Sequence, residues 1–171
     1  MVDYLRLHGR VASLTVPKNS GARKYAYDYP HPALAADIAV FCRIGGRDSV
    51  LLVRRRDNPF AGAWALPGGF VNEGELPIDA ARREAFEETG LRLDDLSLVN
   101  VYGEPGRDPR GWTVSTLYTT RVSINASAQV VAGDDAAALA WHAFDALPPL
   151  AFDHDHLIND AWRAQRHGKI T

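Results

Sequence analysis

The chain has 171 residues, 46% of them hydrophobic and 23% charged, with a formal net charge of −2. That balance suits one globular domain with a sizeable core and lacks the basic excess of a nucleic-acid binder. Cys42 is the single cysteine, which excludes an intrachain disulfide; MVDYLRLHGR at the N-terminus lacks the apolar stretch of a secretion signal, and Asp37 and Arg43 interrupt the best apolar run far short of a membrane span, so a cytoplasmic protein with no membrane partner is expected.

Residues 1–32 alternate weakly and then turn basic and aromatic in KNSGARKYAYDYPHP, which reads as a short strand and extended arm in front of a core spanning 33–171. Tyr25, Tyr27 and Tyr29 in that arm suit either stacking on a base or packing against the domain or a second subunit. Two β-branched, apolar runs follow, 36–42 and 49–53, separated by Gly45-Gly46-Arg47-Asp48, and predict a hairpin of central strands. Cys42 lies in the first run and reads as a small buried hydrophobe. The second run ends in Arg54-Arg55-Arg56; because side chains alternate along a strand, at most two of the three face one site, taken here as Arg54 and Arg56. Trp64, after a loop containing Pro59 and Gly62, fits either a ligand-stacking or a core role.

The stretch from Gly69 to Leu91, GFVNEGELPIDAARREAFEETGL, holds five glutamates: Glu73, Glu75, Glu84, Glu87 and Glu88. Pro77 suits the first turn of a helix and Gly90 its left-handed stop, so a helix is predicted over 78–89. At about 100° per residue, Glu84, Glu87 and Glu88 share one face, while Ile78, Ala81, Ala85 and Thr89 share another. Neighbouring carboxylates repel, and two readings stay open: a solvated face neutralised by Arg82 and Arg83, or a site for a cation. Gly68-Gly69 upstream permits close backbone approach, and Glu75 is placed to meet Arg83. Oxygen ligands with no Cys or His nearby specify Mg2+ or Mn2+.

Gly69, five residues, Glu75, seven residues, then Arg83-Glu84-Ala85-Phe86-Glu87-Glu88-Thr89-Gly90-Leu91 resembles the Nudix box, G-x5-E-x7-R-E-U-x-E-E-x-G-U. Every fixed polar and glycine position matches, and Ala85 departs where the family has a bulkier aliphatic residue. The resemblance implies a single α/β domain, the Nudix α/β/α sandwich with a mixed β-sheet. It also implies metal ligation by Glu84, Glu87, Glu88 and the Gly68 carbonyl, with Glu75 paired to Arg83 behind them.

Beyond the helix, 96–103 and 113–123 read as strands joined by Glu104-Pro105-Gly106-Arg107-Asp108-Pro109-Arg110-Gly111. That loop either presents Arg107 and Arg110 to phosphate or is a solvated loop with an internal Arg–Asp pair. Residues 127–138 look mobile, 139–144 form a last strand, and a closing helix capped by Asp153 or Asp155 is expected to run to about Arg166. His154 and His156 lack a third soft ligand and are not read as a metal site.

Tyr29–Leu34, Trp64–Gly69, Tyr102–Gly111 and Leu150-Ala151-Phe152-Asp153-His154-Asp155 further resemble the ADP-ribose pyrophosphatase branch. That likeness implies hydrolysis of ADP-ribose to AMP and ribose 5-phosphate, with Arg54, Arg56, Arg107, Arg110 and Trp64 toward the substrate. In several relatives a glutamate on a late loop is the general base; here that loop offers Asp134 and Asp135. A small-molecule nucleotide is the expected partner and a homodimer the expected assembly. A hydrolase of oxidised or ordinary nucleoside triphosphates and a non-catalytic ADP-ribose sensor are the alternatives.

Overall fold

The computed structural model describes residues 27–123, 125 and 136–167, and the chain divides into two compact units, 1–31 and 32–171. Of the first unit, residues 27–31 are described; the Tyr27 ring packs 4.2 Å from His31. Tyr25, Asp134 and Asp135 lie outside the described residues.

The second unit is built on a mixed sheet. Its centre is β1 (Ala33–Ile44), which turns through Gly45-Gly46 into β2 (Arg47–Arg55). Both glycines have positive φ, 57° and 81°, so the turn needs only two residues, and Arg47 and Asp48, expected within it, already pair with Ile44 and Arg43. β1 and β2 pair at 41–44 with 47–50 and then part. The fork is filled by β3 (Trp64–Ala65), which pairs with β2 at Val53 and Arg54, and β4 (Gly68–Phe70), which pairs with β1 at 35–37. β5 (Ser97–Tyr102) and β6 (Thr113–Arg121) add the other side, β6 running parallel to β1 along 33–41. β7 (Ala136–Ala143) covers the outer edge of β2 and starts earlier than expected, taking in Ala136–138 of the stretch read as mobile.

Two helices lie on opposite faces of the sheet. α1 (Pro77–Thr89) stops at Gly90, whose φ is 74° and whose N–H donates to the Phe86 carbonyl. Ala80, Ala81 and Ala85 are fully buried against Ala36, Ile38, Val40 and Leu51. With three alanines in the middle of its contact line, between Ile78 and Thr89, α1 can lie close to the sheet, which gives the unusual Ala85 a packing reason. α2 (His154–His167) buries Leu157, Ile158 and Ala161 against Phe41, Val50, Leu52 and Leu117 on the opposite face. The fold is therefore the expected α/β/α sandwich with a mixed sheet. Cys42 is buried, and among the described residues no helix is long and apolar enough to cross a membrane.

Candidate active site

Where β1 and β2 diverge, the sheet opens into a cleft that is open to solvent. α1 brings its carboxylates to one side through the glycines of β4. A Cβ on Gly69 would collide with Glu84 Oε1, so the Glu84 carboxylate occupies the space a side chain would fill. Beside it, the Gly68 N–H donates to Glu88 Oε2 at 3.0 Å. Gly68 is itself pinned, because a Cβ there would lie 2.6 Å from the Ala36 carbonyl oxygen and from Asp37 Oδ1.

Arg83 ties this wall together. It donates to Glu75 through Nε at 2.8 Å and Nη2 at 3.0 Å, to Glu84 at 2.6 Å, to Glu87 at 3.1 Å and to the Phe70 carbonyl at 3.1 Å. The Glu75 carboxyl is held down at about 2 by the Arg83 hydrogen bonds, then by the Asn72 amide. Glu88 goes the other way: burial pushes it up to about 8, with Glu84 and Asp37 adding repulsion against the opposing pull of Gly68 N–H and Arg55. Burial likewise raises Glu84 in spite of its bond to Arg83. Glu87 is half exposed and turned to Arg83.

Among the described residues, no three His, Cys, Asp or Glu side chains converge as a metal cage. Magnesium does not require one, since it typically binds one or two carboxylates and completes its octahedron with water and phosphate oxygens. Glu84 and Glu88, both hard oxygen donors whose charged form is disfavoured by burial and mutual repulsion, fit such an ion.

Arginines line the facing wall. Arg107, 7% exposed, donates to both oxygens of Asp153 at 2.9 and 2.8 Å and to Ser115 Oγ at 3.0 Å. Arg110 grips buried Asp108 through Nε and Nη2, and its guanidinium lies over the Phe70 and Phe152 rings at 5.0 and 5.2 Å. Burial alone would raise the Asp108 carboxyl, but the side-chain and amide bonds from Arg110 outweigh it and hold the group below the usual carboxylate range. Of the loop's two arginines, Arg110 makes the internal pair with Asp108, Arg107 pairs with Asp153 outside the loop, and both line the cleft.

Arg54, Arg55 and Arg56 all line the cleft, contrary to the expectation that two at most would. Strand pairing ends at Arg55, so alternation does not govern Arg56. Arg55 is the member of the triplet that the sequence pattern does not point to. It donates to the Pro59 carbonyl at 2.8 Å and lies 4.9 Å over Phe152, and burial, then Arg110, lowers its pKa. Parity could not single it out, because 49–53 are buried on both faces. Trp64 is not part of the cleft lining; its ring packs on the core beneath α2, edge-on to His142 at 4.5 Å. Asp37, buried in the middle of an apolar strand, and His154, whose Nδ1 accepts the Leu66 N–H at 2.9 Å, also escape the sequence pattern. A lone charge inside an apolar strand was the available signal for Asp37.

The NUDIX domain family model matches residues 32–161. The chain belongs to the Nudix family. It is 41% identical over 159 residues to the ADP-ribose pyrophosphatase of Methanocaldococcus jannaschii, covering 93% of this chain and 89% of that protein. It is 35% identical over 139 residues to the ADPR responsive transcriptional repressor NtrR of Acinetobacter baylyi, covering 79% of this chain but only 55% of the repressor. The NUDIX domain of Shewanella oneidensis NrtR, solved with ADP ribose, superposes with a TM-score of 0.72 at 30% identity, over 80% of this chain and 90% of that one. As a Nudix pyrophosphatase, the chain is a hydrolase of phosphoanhydrides.

Proposed function

We propose that the protein hydrolyses ADP-ribose to AMP and ribose 5-phosphate with a divalent cation, Mg2+ or Mn2+. The observation that carries this reading is a single cleft with Glu88 on one side and Arg55, Arg107 and Arg110 on the other. A nucleoside diphosphate derivative needs both halves: cations for its oxygens, and carboxylates to hold a metal where the anhydride breaks. The likeness to the Methanocaldococcus jannaschii enzyme supports ADP-ribose as the particular derivative.

Glu84 and Glu88 would hold the metal, which when bound neutralises diphosphate oxygens and acidifies the attacking water. Arg83 fixes the Glu84 carboxylate against Gly69, with Glu75 holding Arg83 from behind, so the ligand is oriented before substrate arrives. Glu87 shares Arg83 and would reach the site through water or a small rotation. Arg55 and Arg110, brought together over Phe152, present positive charge to the diphosphate. Asp134 or Asp135 would serve as the base.

The test is turnover of ADP-ribose against dGTP and 8-oxo-dGTP at equal concentration with Mg2+. Faster release from ADP-ribose supports the reading; faster release from either triphosphate overturns the substrate and leaves the chemistry standing. A second reading, an ADP-ribose sensor, is favoured by the likeness to the Acinetobacter baylyi repressor and to the NrtR domain solved with ADP ribose. Tight ADP-ribose binding with no AMP formed over hours would select it.

A further inference from the structure

The stretch Phe152-Asp153-His154 stands apart from the carboxylate wall, and none of its residues belongs to it. Each of its side chains nevertheless holds a different part of the cleft. The Asp153 carboxylate clamps Arg107, which in turn donates to Ser115 on β6. His154, buried, accepts the Leu66 N–H, two residues before the Gly68-Gly69 pair. Phe152 lies under Arg55 and Arg110 and edge-on to Phe60 at 4.8 Å.

Three consecutive side chains can diverge in this way because Phe152 adopts φ 54°, a left-handed conformation rare for a bulky residue. The turn is fastened by backbone bonds from Ala151 N–H to the Trp64 carbonyl and from His154 N–H to the Ala151 carbonyl. α2 begins at His154, so the clamp is anchored to a helix whose inner face is fully buried.

We infer that Asp153 and His154 are positioning residues: the turn entering α2 clasps the Arg107 loop to the β3–β4 fork and sets the distance between the two walls of the cleft. The kinetic part of this inference rests on the ADP-ribose reading; the structural part does not. Arg107 has five N–H donors, of which three are engaged here. Asp153 therefore fixes the direction in which the remaining two point, and His154 fixes the height of the strand that leads to Gly68.

Three variants test it: Asp153→Asn, His154→Leu and His154→Asn, the last placing an amide oxygen where Nδ1 accepts. In substrate-free protein, Asp153→Asn should speed exchange of the Arg107 Nε proton by about 10-fold or more, the loss of a charge-assisted bond. His154→Leu should do the same to the Leu66 amide, and His154→Asn should restore most of the protection. With ADP-ribose, Asp153→Asn should raise KM about 10-fold with kcat within roughly threefold, and should add nothing to Arg107→Ala in the double variant. His154→Leu should lower kcat, with recovery in His154→Asn.

Unchanged exchange at Arg107 and Leu66 in folded variants overturns the clasp, as does full additivity of Asp153→Asn with Arg107→Ala. If His154→Leu does not fold, Asp153→Asn and His154→Asn still decide, since the first is isosteric and the second keeps the acceptor for the Leu66 N–H. A wild type that turns over no ADP-ribose defeats the substrate reading alone, and the exchange comparison then decides the clasp by itself.

Discussion

The carboxylate wall takes Glu75, Glu84, Glu87 and Glu88 from one loop and helix and joins the first three to a single cation, Arg83. The guanidinium wall takes Arg55, Arg107 and Arg110 from a strand end and a distant loop and joins the loop pair to Asp153 and Asp108. Neither wall neutralises itself. Glu88 is not among the glutamates bonded to Arg83, and Arg55 is bonded to a backbone carbonyl and to neither of the aspartates that hold Arg107 and Arg110. What remains after the internal pairs is the Glu88 carboxyl, outside the Arg83 cluster and held up by burial, and positive charge around Phe152, across one cleft. A ligand that brings a metal to the first and phosphate oxygens to the second satisfies both, and the protein's own pairs then act to hold the remaining charges in place.

The sharpest way to break the comparison is to remove charge from the carboxylate wall. Glu84→Gln and Glu88→Gln should each reduce turnover on the order of 10^3-fold, because metal stabilisation of developing charge is worth several kcal/mol. Both variants should fold, since each removes a member of a repelling pair whose charged form burial already disfavours. Steady-state kinetics alongside thermal melts check this, and activity within tenfold of wild type in either variant would remove that residue from the metal site.

Two adjacent glycines separate geometry from charge. In Gly69→Ala the new methyl would collide with the Glu84 carboxylate, the movable end of a side chain. The carboxylate should swing aside, costing about 100-fold in kcat for a displacement near 1 Å with little change in Tm. In Gly68→Ala the methyl would meet the Ala36 carbonyl oxygen at 2.6 Å and Asp37 Cα at 2.9 Å, backbone atoms of the central strand that cannot yield. That variant should lose about 1–3 kcal/mol of stability, a fall of several degrees in Tm. Equal effects of the two substitutions on Tm would mean that Glu84 is not held over Gly69 as the structure has it.

Legibility in the sequence follows the same division. The helix ends at Pro77 and Gly90, the Glu75–Arg83 pair and the shared face of Glu84 and Glu88 are set by local spacing and helical period, so they could be read directly. Sheet order was not available in this way. That β1 lies parallel to β6, and that β3 and β4 fill the fork of the first hairpin, depends on contacts between distant segments. The guanidinium wall inherits that difficulty: Arg107 finds Asp153 across 46 residues, and Leu66 finds His154 across 88. The core placement of Trp64 was hidden for a related reason, because its partner His142 comes from β7, far along the chain. The arginine triplet misled because alternation lapses where strand pairing ends.

The smallest expected effect is also the one that reads the unbalanced charge of the carboxylate wall without any substrate. Glu88 has its carboxyl raised to about 8 from an ordinary 4.5, chiefly by burial. Its neutral form is thus the one the metal-free fold prefers. Below pH 4.5 the group is protonated in both folded and unfolded chains and the preference has its full effect. As pH rises from there, the unfolded chain releases the proton first, so this contribution to stability declines and is gone once pH passes about 8. A metal bound at Glu88 reverses the preference, because it binds the carboxylate and competes with the proton. Saturating Mg2+ should therefore raise Tm by several degrees at pH 8.5 and by markedly less at pH 6, where binding must first displace a proton. In Glu88→Gln the metal-free protein should melt higher than wild type at pH 8.5, and the difference between the two pH values should shrink. Melting curves at both pH values, with Mg2+ and with a chelator, give the comparison. A Mg2+ shift equal at pH 6 and pH 8.5 in the wild type would show that the ion does not engage the raised carboxyl, and the metal would then have to be assigned to the other glutamates of the wall.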